Sequence, residues 1–338
     1  MRLGLIGSTG HWQTYAPALE NVRGLALVAV ASSGPEETLG AFDHAPGQSP
    51  ETHRYQDPWK MLEAERLDLV QVCTGSDQQS SWVRTCLERG LPVMAEKPLA
   101  TDLTTLESLF QAARKSGAAL VPMHTMRGAS ELAAVREAVR AGEVGEPMLS
   151  FSQKSYKWGQ GRPDSYRSRK TFPGLAPWVG IHAFDWLHWI LGDVFTEVTG
   201  REGTTARPDF PACGSQAGYL LTMNNGGVAA VTLDYLRPEA APTHGDERLR
   251  IAGDRGVIET SLADRKVILS TADRPPRALA LKPQIDLFTR FARSLRGEGP
   301  PPLALQEGCR ITEIAIKAQQ AAESGQAVSL RDSPYRQP

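Results

Sequence analysis

Leu3-Gly4-Leu5-Ile6-Gly7-Ser8-Thr9-Gly10-His11-Trp12 decides the fold. An apolar run without polar alternation ends in a glycine turn. Such a run reads as a strand buried on both faces of a sheet. A glycine turn between a strand and a helix suits a dinucleotide. Glycine lets the backbone approach a pyrophosphate, and a helix N-terminus offers amides and a positive dipole. The second and third glycines of the usual pattern are Thr9 and Trp12 here. Gly7, Ser8, Thr9, Gly10, His11 and Trp12 are the first candidate cofactor contacts, with a plain tight turn as the alternative.

The pattern repeats outward. Leu25–Ala31, Asp68–Cys73, Leu91–Ala95 and Ala118–Met123 are further strand candidates. Amphipathic segments lie between them, such as Gln78–Arg89 with Trp82, Val83, Cys86 and Leu87 at helical spacing. Thr101-Asp102 offers an N-cap for a helix ending near Gly117. Strand alternating with helix predicts an α/β domain with a doubly wound parallel sheet over residues 1–122. Beyond the helix Glu131–Ala141 and the turn-rich stretch Gly142–Pro147, the period changes to that of strands. Ala217, Tyr219, Leu221 and Met223 share one face. Asn224-Asn225-Gly226-Gly227 turns the chain into Val228–Tyr235, with positive φ expected at both central residues of a tight hairpin turn. Leu249–Gly253 and Val257–Ser261 flank a second turn, and helices are expected over Ile285–Leu295 and Ile311–Ala322. Residues 123–338 therefore read as an α+β domain with a mostly antiparallel sheet.

Bulk properties narrow the function. Lys plus Arg is 37 against 38 Asp plus Glu, a net charge of −1, which argues against a nucleic-acid or acidic-membrane binder. The longest apolar runs are far short of the roughly 18 residues that span a bilayer. The run after Met1-Arg2 is too short for a secretory leader. Cys73, Cys86, Cys213 and Cys309 have no CxxC spacing and read as apolar fillers in a reducing cytoplasm.

At the end of the second strand, Ala31-Ser32-Ser33-Gly34 carries no acid for a ribose 2′-hydroxyl. Ser32 and Ser33 can hydrogen-bond a phosphate, so the choice between NAD and NADP leans weakly to NADP. Glu96-Lys97-Pro98 follows the strand at Leu91–Ala95, where ligands of such sheets bind. His182 and Asp185 are three residues apart and share a helix face, whereas His188 points elsewhere, so no metal cluster is expected from the three. His124 and Arg127 follow the last strand of the first domain and can line its cleft. Lys154–Lys170 interleaves six basic residues with Tyr156, Trp158 and Tyr166, a solvated loop or a cover that attracts an anionic substrate.

The glycine turn at Gly7, Glu96-Lys97-Pro98, Gly180-Ile181-His182-Ala183-Phe184-Asp185, Gly253-Asp254-Arg255-Gly256-Val257-Ile258-Glu259 and Ala322-Glu323-Ser324-Gly325 together resemble the Gfo/Idh/MocA family, the glucose-fructose oxidoreductase and inositol dehydrogenase relatives. The resemblance covers nearly all of residues 2–331. It implies a large open-faced C-terminal sheet, often an oligomer contact, and hence a homo-dimer or homo-tetramer. It implies oxidation or reduction of a sugar or polyol with NAD(P), with Lys97 and His182 matching the family's catalytic lysine and histidine. It also adds Thr74, Gly75, Glu96 and Lys97 to the cofactor contacts. The chemistry is consistent: oxidising a carbinol needs a hydride acceptor and a base, and histidine, with an ordinary pKa of about 6.5, is suited to that task. Asp185 binds a substrate hydroxyl or orients His182 in this reading. Two departures matter. Many members carry Asp four residues before the histidine, where this chain has Trp178, which either stacks on a sugar face or packs in the core. The family's Thr-Pro-Asn stretch is Thr74-Gly75-Ser76-Asp77. The competing readings are a binding protein or sensor without turnover, and a lyase or glycosidase that oxidises its substrate transiently.

Overall fold

The computed structural model describes residues 1–34, 37–203 and 209–336. They group into two compact units: Met1–Thr125 with Ile285–Cys309, and Met126–Gln284 with Arg310–Pro338. A division of the chain at residue 123 leaves Ile285–Cys309 with the C-terminal part, whereas in the structure this segment returns to the first unit.

The first unit contains β1 (Arg2–Ile6), α1 (Ala16–Asn21), β2 (Ala26–Ala31), β3 (His53–Tyr55), α2 (Pro58–Ala64), β4 (Leu69–Val72), α3 (Gln79–Glu88), β5 (Val93–Ala95), α4 (Leu103–Ser116) and β6 (Leu120–Pro122). Its sheet is parallel with order β3-β2-β1-β4-β5-β6, the doubly wound arrangement. The unalternating runs are buried because helices cover both faces: Leu3, Ile6, Val30, Val70 and Val72 are fully enclosed. Each such side chain contributes about 1.5–3 kcal/mol relative to exposure. Asp102 caps α4 by accepting the Thr105 amide at 2.8 Å. β3 has no counterpart in the sequence reading, since His53-Arg54-Tyr55 is polar, as an edge strand facing water on one side allows.

The second unit contains α5 (Ser130–Arg140), β7 (Pro147–Lys157), α6 (Ile181–Leu191), β8 (Phe195–Gly203), β9 (Gln216–Met223), β10 (Val228–Arg237), β11 (Gly245–Gly253), β12 (Gly256–Ser261), β13 (Lys266–Thr271) and β14 (Arg274–Ala278). The chain then forms α7 (Leu287–Ser294) in the first unit, α8 (Leu305–Ser324), whose residues from Arg310 belong to the second, and β15 (Val328–Ser329). The nine-stranded sheet has order β14-β13-β12-β11-β7-β10-β9-β8-β15 and is antiparallel except for the pair β7–β10. α6 packs on one face: Trp186 Nε1 donates to Ser152 Oγ at 2.7 Å, and Phe184 meets Tyr219 edge-on.

The β9–β10 turn corrects an expectation. Gly226 has φ +85°, but Arg265 is the only non-glycine with positive φ among the described residues, so Asn225 does not adopt it. The Gly226 amide donates to Met223 O at 3.1 Å and Asn225 Oδ1 accepts from the Gly227 amide at 2.9 Å. The loop is a three-residue hairpin with glycine at the left-handed place, rather than a two-residue turn.

Candidate functional site

In the first unit, two glycines stand where no side chain fits. Gly7 has φ +78°, and a Cβ there would strike the carbonyl of Cys73 at the end of β4. Gly10 has φ +62°, and its Cβ would strike the Glu96 carboxylate. The reason is that Glu96 is built into the turn. Its carboxylate accepts from the His11 amide at 2.5 Å, meets His11 Nδ1 at 3.0 and 3.1 Å, and accepts from the Lys97 amide at 2.9 Å. Burial alone would raise the Glu96 pKa, but the His11 hydrogen bond and the charges of His11 and Lys97 outweigh it and hold the carboxyl below its ordinary value. The structure thus brings the glycine turn and the Glu-Lys-Pro tripeptide together, with Glu96 and His11 bonded to each other.

Lys97 is buried, 5% exposed, and burial lowers its pKa against the opposing pull of Glu96. The bond between Lys97 and Pro98 is cis. Gln79, at the start of α3, donates through Nε2 to the carbonyls of Glu96 and Pro98 and so ties this turn to α3. His124 is fully buried just past β6. Thr74 is buried, its Cγ2 beside Gly7, and the Gly75 carbonyl accepts the Gln78 and Gln79 amides at 3.0 Å. Trp12 meets Phe42 edge-on, and its carbonyl accepts from Gln71 Nε2.

The helix that follows the glycine turn differs from expectation. α1 begins only at Ala16, with Pro17 in its first turn, and Thr14 N bonds His11 O at 3.0 Å in the intervening turns. The helix start lies some residues beyond Gly10, and most of the turn's own amides are bonded within the protein. Ser8 N donates to Glu37 Oε1 at 2.7 Å, Ser8 Oγ donates to the same oxygen, and Thr9 N donates to Cys73 O at 2.9 Å. Ser33 N donates to Glu37 Oε2 at 2.5 Å. Ser32 Oγ is committed to the carbonyls of Gly34 at 2.7 Å and Gln56 at 3.1 Å. The end of β2 therefore does have a carboxylate beside it. Sequence reading missed Glu37 because it arrives six residues after Ala31, not at the strand's end. Beside Ser33 and Gly34 opens a pocket of about 480 Å³, also lined by Gln56, Asp57, Asp77, Gln78 and Trp82. Its size suits a small organic group, and Trp82 offers an aromatic wall.

In the second unit, a short 3₁₀ turn (Thr125–Gly128) carries Arg127. Arg127 and Asp185 are 2% and 0% exposed. Arg127 donates from Nε at 2.9 Å and from Nη2 at 2.8 Å, both to Asp185 Oδ1, and its guanidinium lies 5.5 Å from the Trp189 ring centroid. Asp185 Oδ2 is buried without a hydrogen-bond partner. His182 stands one turn earlier on α6 and is 4% exposed. A π-helical turn, Ala176–Gly180, precedes it, and such turns recur at functional positions. Trp178, in that turn, donates from Nε1 to Tyr166 Oη at 2.6 Å and meets Tyr166 and Phe172 edge-on. The basic segment is folded in rather than fully solvated. Arg162 lies over the rings of Trp158, Tyr166 and Tyr235, and Lys154 is fully buried 3.3 Å from Glu247. His244 stacks on Tyr156.

A doubly wound unit with a glycine turn, followed by a unit built on a large mostly antiparallel sheet, defines a two-domain class of nucleotide-binding proteins. Residues 1–124 match the oxidoreductase family with an NAD-binding Rossmann fold, GFO/IDH/MocA, and residues 132–259 match the GFO/IDH/MocA C-terminal domain. A solved structure from Thermotoga maritima described as an oxidoreductase is 33% identical, with a TM-score of 0.90 over 97% of this chain and 100% of that one. D-apiose dehydrogenase of Paraburkholderia graminis is 24% identical over 97% of this chain and 89% of that protein. Myo-inositol 2-dehydrogenase of Thermotoga maritima is 21% identical over 98% and 99%. The chain belongs to the GFO/IDH/MocA family of oxidoreductases. No helix among the described residues is long and apolar enough to cross a membrane.

NAD fits the first unit on two observations. The glycines at positions 7 and 10 let the turn after β1 pack closely on Cys73 and Glu96 at the strand ends where dinucleotides bind in such sheets, and the pocket past β2 lies beside a carboxylate that can accept ribose hydroxyls.

Proposed function

We propose that the protein is a dehydrogenase that moves a hydride between a nicotinamide dinucleotide and a CH–OH group of a sugar, polyol or related hydroxy compound. The observation that carries this reading is the buried Lys97 on a turn that Glu96 and His11 lock to the glycine turn. Bound at the ends of β1, β2 and β4, the dinucleotide supplies the hydride acceptor. The protein supplies geometry and proton handling. Lys97 contacts the substrate hydroxyl and the nicotinamide ribose. Its lowered pKa brings the amine nearer to giving and regaining a proton. His182 takes the hydroxyl proton. Asp185 acts through Arg127: with Oδ1 occupied by the guanidinium and the carboxylate fully buried, its role is to fix α6 beneath His182. The substrate class is that of the named relatives, a polyhydroxy compound.

Assembly through the second unit's sheet belongs to the same proposal. Phe151 and Leu220 both register against Ala230 across β7, β10 and β9, and with Leu149 they make an exposed apolar patch.

The test is a turnover screen with NAD and NADP over a panel of polyols and aldoses, followed at the nicotinamide absorbance band. Reduction of cofactor by at least one of them is expected. Tight cofactor binding with no absorbance change across the panel would replace the proposal with a non-catalytic binding protein. Product formed without net NADH would point to transient oxidation followed by elimination.

A further inference from the structure

We infer that Glu37 selects the cofactor: its carboxylate already holds the donors that a 2′-phosphate on the adenosine ribose would need, so the first unit takes NAD and rejects NADP. This rests on the reading above that the unit binds a nicotinamide dinucleotide.

A phosphate on the ribose next to β2 is recognised by backbone amides, hydroxyls and a cation placed after that strand. Here those donors are spent. The Ser8 amide and hydroxyl both donate to Glu37 Oε1, and the Ser33 amide donates to Oε2. Ser32 Oγ is turned to the carbonyls of Gly34 and Gln56. Gln56 Nε2 in turn donates to Ser32 Oγ and to the Glu37 carbonyl, both at 3.0 Å, which holds the Glu37 backbone in place. Glu37 thus serves as an internal anion, tethered to the chain and fixed on two separate loops.

The surroundings reinforce it. The adjoining pocket is lined by Asp57 and Asp77, and none of its lining residues among those described is Lys or Arg. A phosphomonoester adds a charge of about −1.5 to −2 at pH 7. It would meet a carboxylate and find no cation. Two ribose hydroxyls fare differently. An ionised carboxylate has about four acceptor sites, and three are used here. The remaining capacity accepts a hydroxyl. The expectation from residues 31–34 alone, a weak lean to NADP, rested on the lack of an acid, and Glu37 supplies that acid from further along the chain.

The experiment is calorimetric titration of the full chain with NAD⁺ and NADP⁺, and with AMP and 2′,5′-ADP as probes of the adenosine end alone. Wild type is expected to bind NAD⁺ at least about 100-fold tighter than NADP⁺, and AMP tighter than 2′,5′-ADP. Glu37→Ala and Glu37→Gln are expected to weaken NAD⁺ by about tenfold and to tighten NADP⁺ by a similar factor, because a charged hydrogen-bond acceptor is removed and the amides of Ser8 and Ser33 become available. Circular dichroism on both variants establishes that they are folded. Wild type binding NADP⁺ within about threefold of NAD⁺ overturns the inference and leaves the dehydrogenase proposal standing. An unchanged NAD⁺/NADP⁺ ratio in both folded variants also overturns it. Binding of none of the four probes by wild type overturns both.

Discussion

Removing the charge of Asp185 perturbs a pair with no access to water. Arg127 is 2% exposed and Asp185 is 0% exposed, and two guanidinium nitrogens at 2.9 and 2.8 Å converge on one oxygen. Asp185→Ala removes the carboxylate that accepts from two of the buried guanidinium's nitrogens and leaves Trp189 beside it. Breaking a buried pair by deleting one partner costs about 3–5 kcal/mol. For a unit of this size each kcal/mol moves Tm by about 2–4 °C, so a fall of roughly 6–20 °C is expected. Arg127→Met, which strands the carboxylate, should cost about as much. Replacing both at once, Arg127→Met with Asp185→Leu, removes both desolvation penalties. That double variant is expected within about 1 kcal/mol of wild type or above it. The assay is thermal and urea unfolding followed by tryptophan fluorescence. Trp158, Trp178, Trp186 and Trp189 all lie in the second unit and report its transition. Single variants that each shift Tm by less than about 2 °C would refute the reasoning, as would a double variant destabilised by the sum of the singles.

Other outcomes are equally checkable. Lys97→Ala and His182→Ala are each expected to lower kcat by about 10²-fold or more with dinucleotide Kd changed by under about threefold, and wild-type turnover in either would remove that residue from the mechanism. Gly10→Ala, forced to φ +62° with its methyl against Glu96, should cost about 1–3 kcal/mol of first-unit stability and weaken NAD⁺ binding, read by unfolding and by calorimetry. The Glu96 carboxyl titrates below 4.5 in the folded chain, so its contribution is complete above pH 4.5 and is lost as pH falls through the lower folded value. Glu96→Gln should therefore flatten the acid side of the first unit's stability profile. Lys97 has the same sign of slope in an alkaline window, because burial penalises its charged form. Its folded pKa lies below 10.5, the unfolded chain binds more protons in that window, and stability rises with pH there; Lys97→Met should abolish the rise. The four cysteines are buried, with the Cys86 thiol pushed up to about 12 by burial, so Ellman's reagent should label none of them until the chain is denatured.

The parallel sheet was legible because its central strands bury both faces and leave no polar alternation to confuse the period, as in Leu3–Ile6 and Leu69–Val72. β3 was not, because an edge strand of His-Arg-Tyr has the composition of a loop. The late helices were visible from their apolar faces, although α8 begins six residues earlier than the apolar pattern from Ile311 indicates. At the candidate site, Gly7, Gly10, Lys97 and His182 follow from type and place. The partnerships do not. Nothing in the spacing joins Glu96 to His11, 85 positions away, or Arg127 to Asp185, because those contacts are created by sheet order and helix packing. Glu37 and Gln79 escaped for the same reason: each acts through a side chain that reaches back to another strand's end.

The route of the chain has a consequence for how the protein is made. The nucleotide-binding unit is sewn from two pieces, and its α1 is covered by α7, where Phe288 meets Tyr15 and Arg293 donates to the Asn21 carbonyl at 3.0 Å. A ribosome adding about 5–20 residues per second needs roughly 15–60 s to reach the end of the second piece. Until then the nascent chain exposes an unroofed apolar flank at its oldest end, while the second unit's main body is already being completed. The first unit therefore closes only after β7–β14 of the second have been made, and until then α1 lacks its cover.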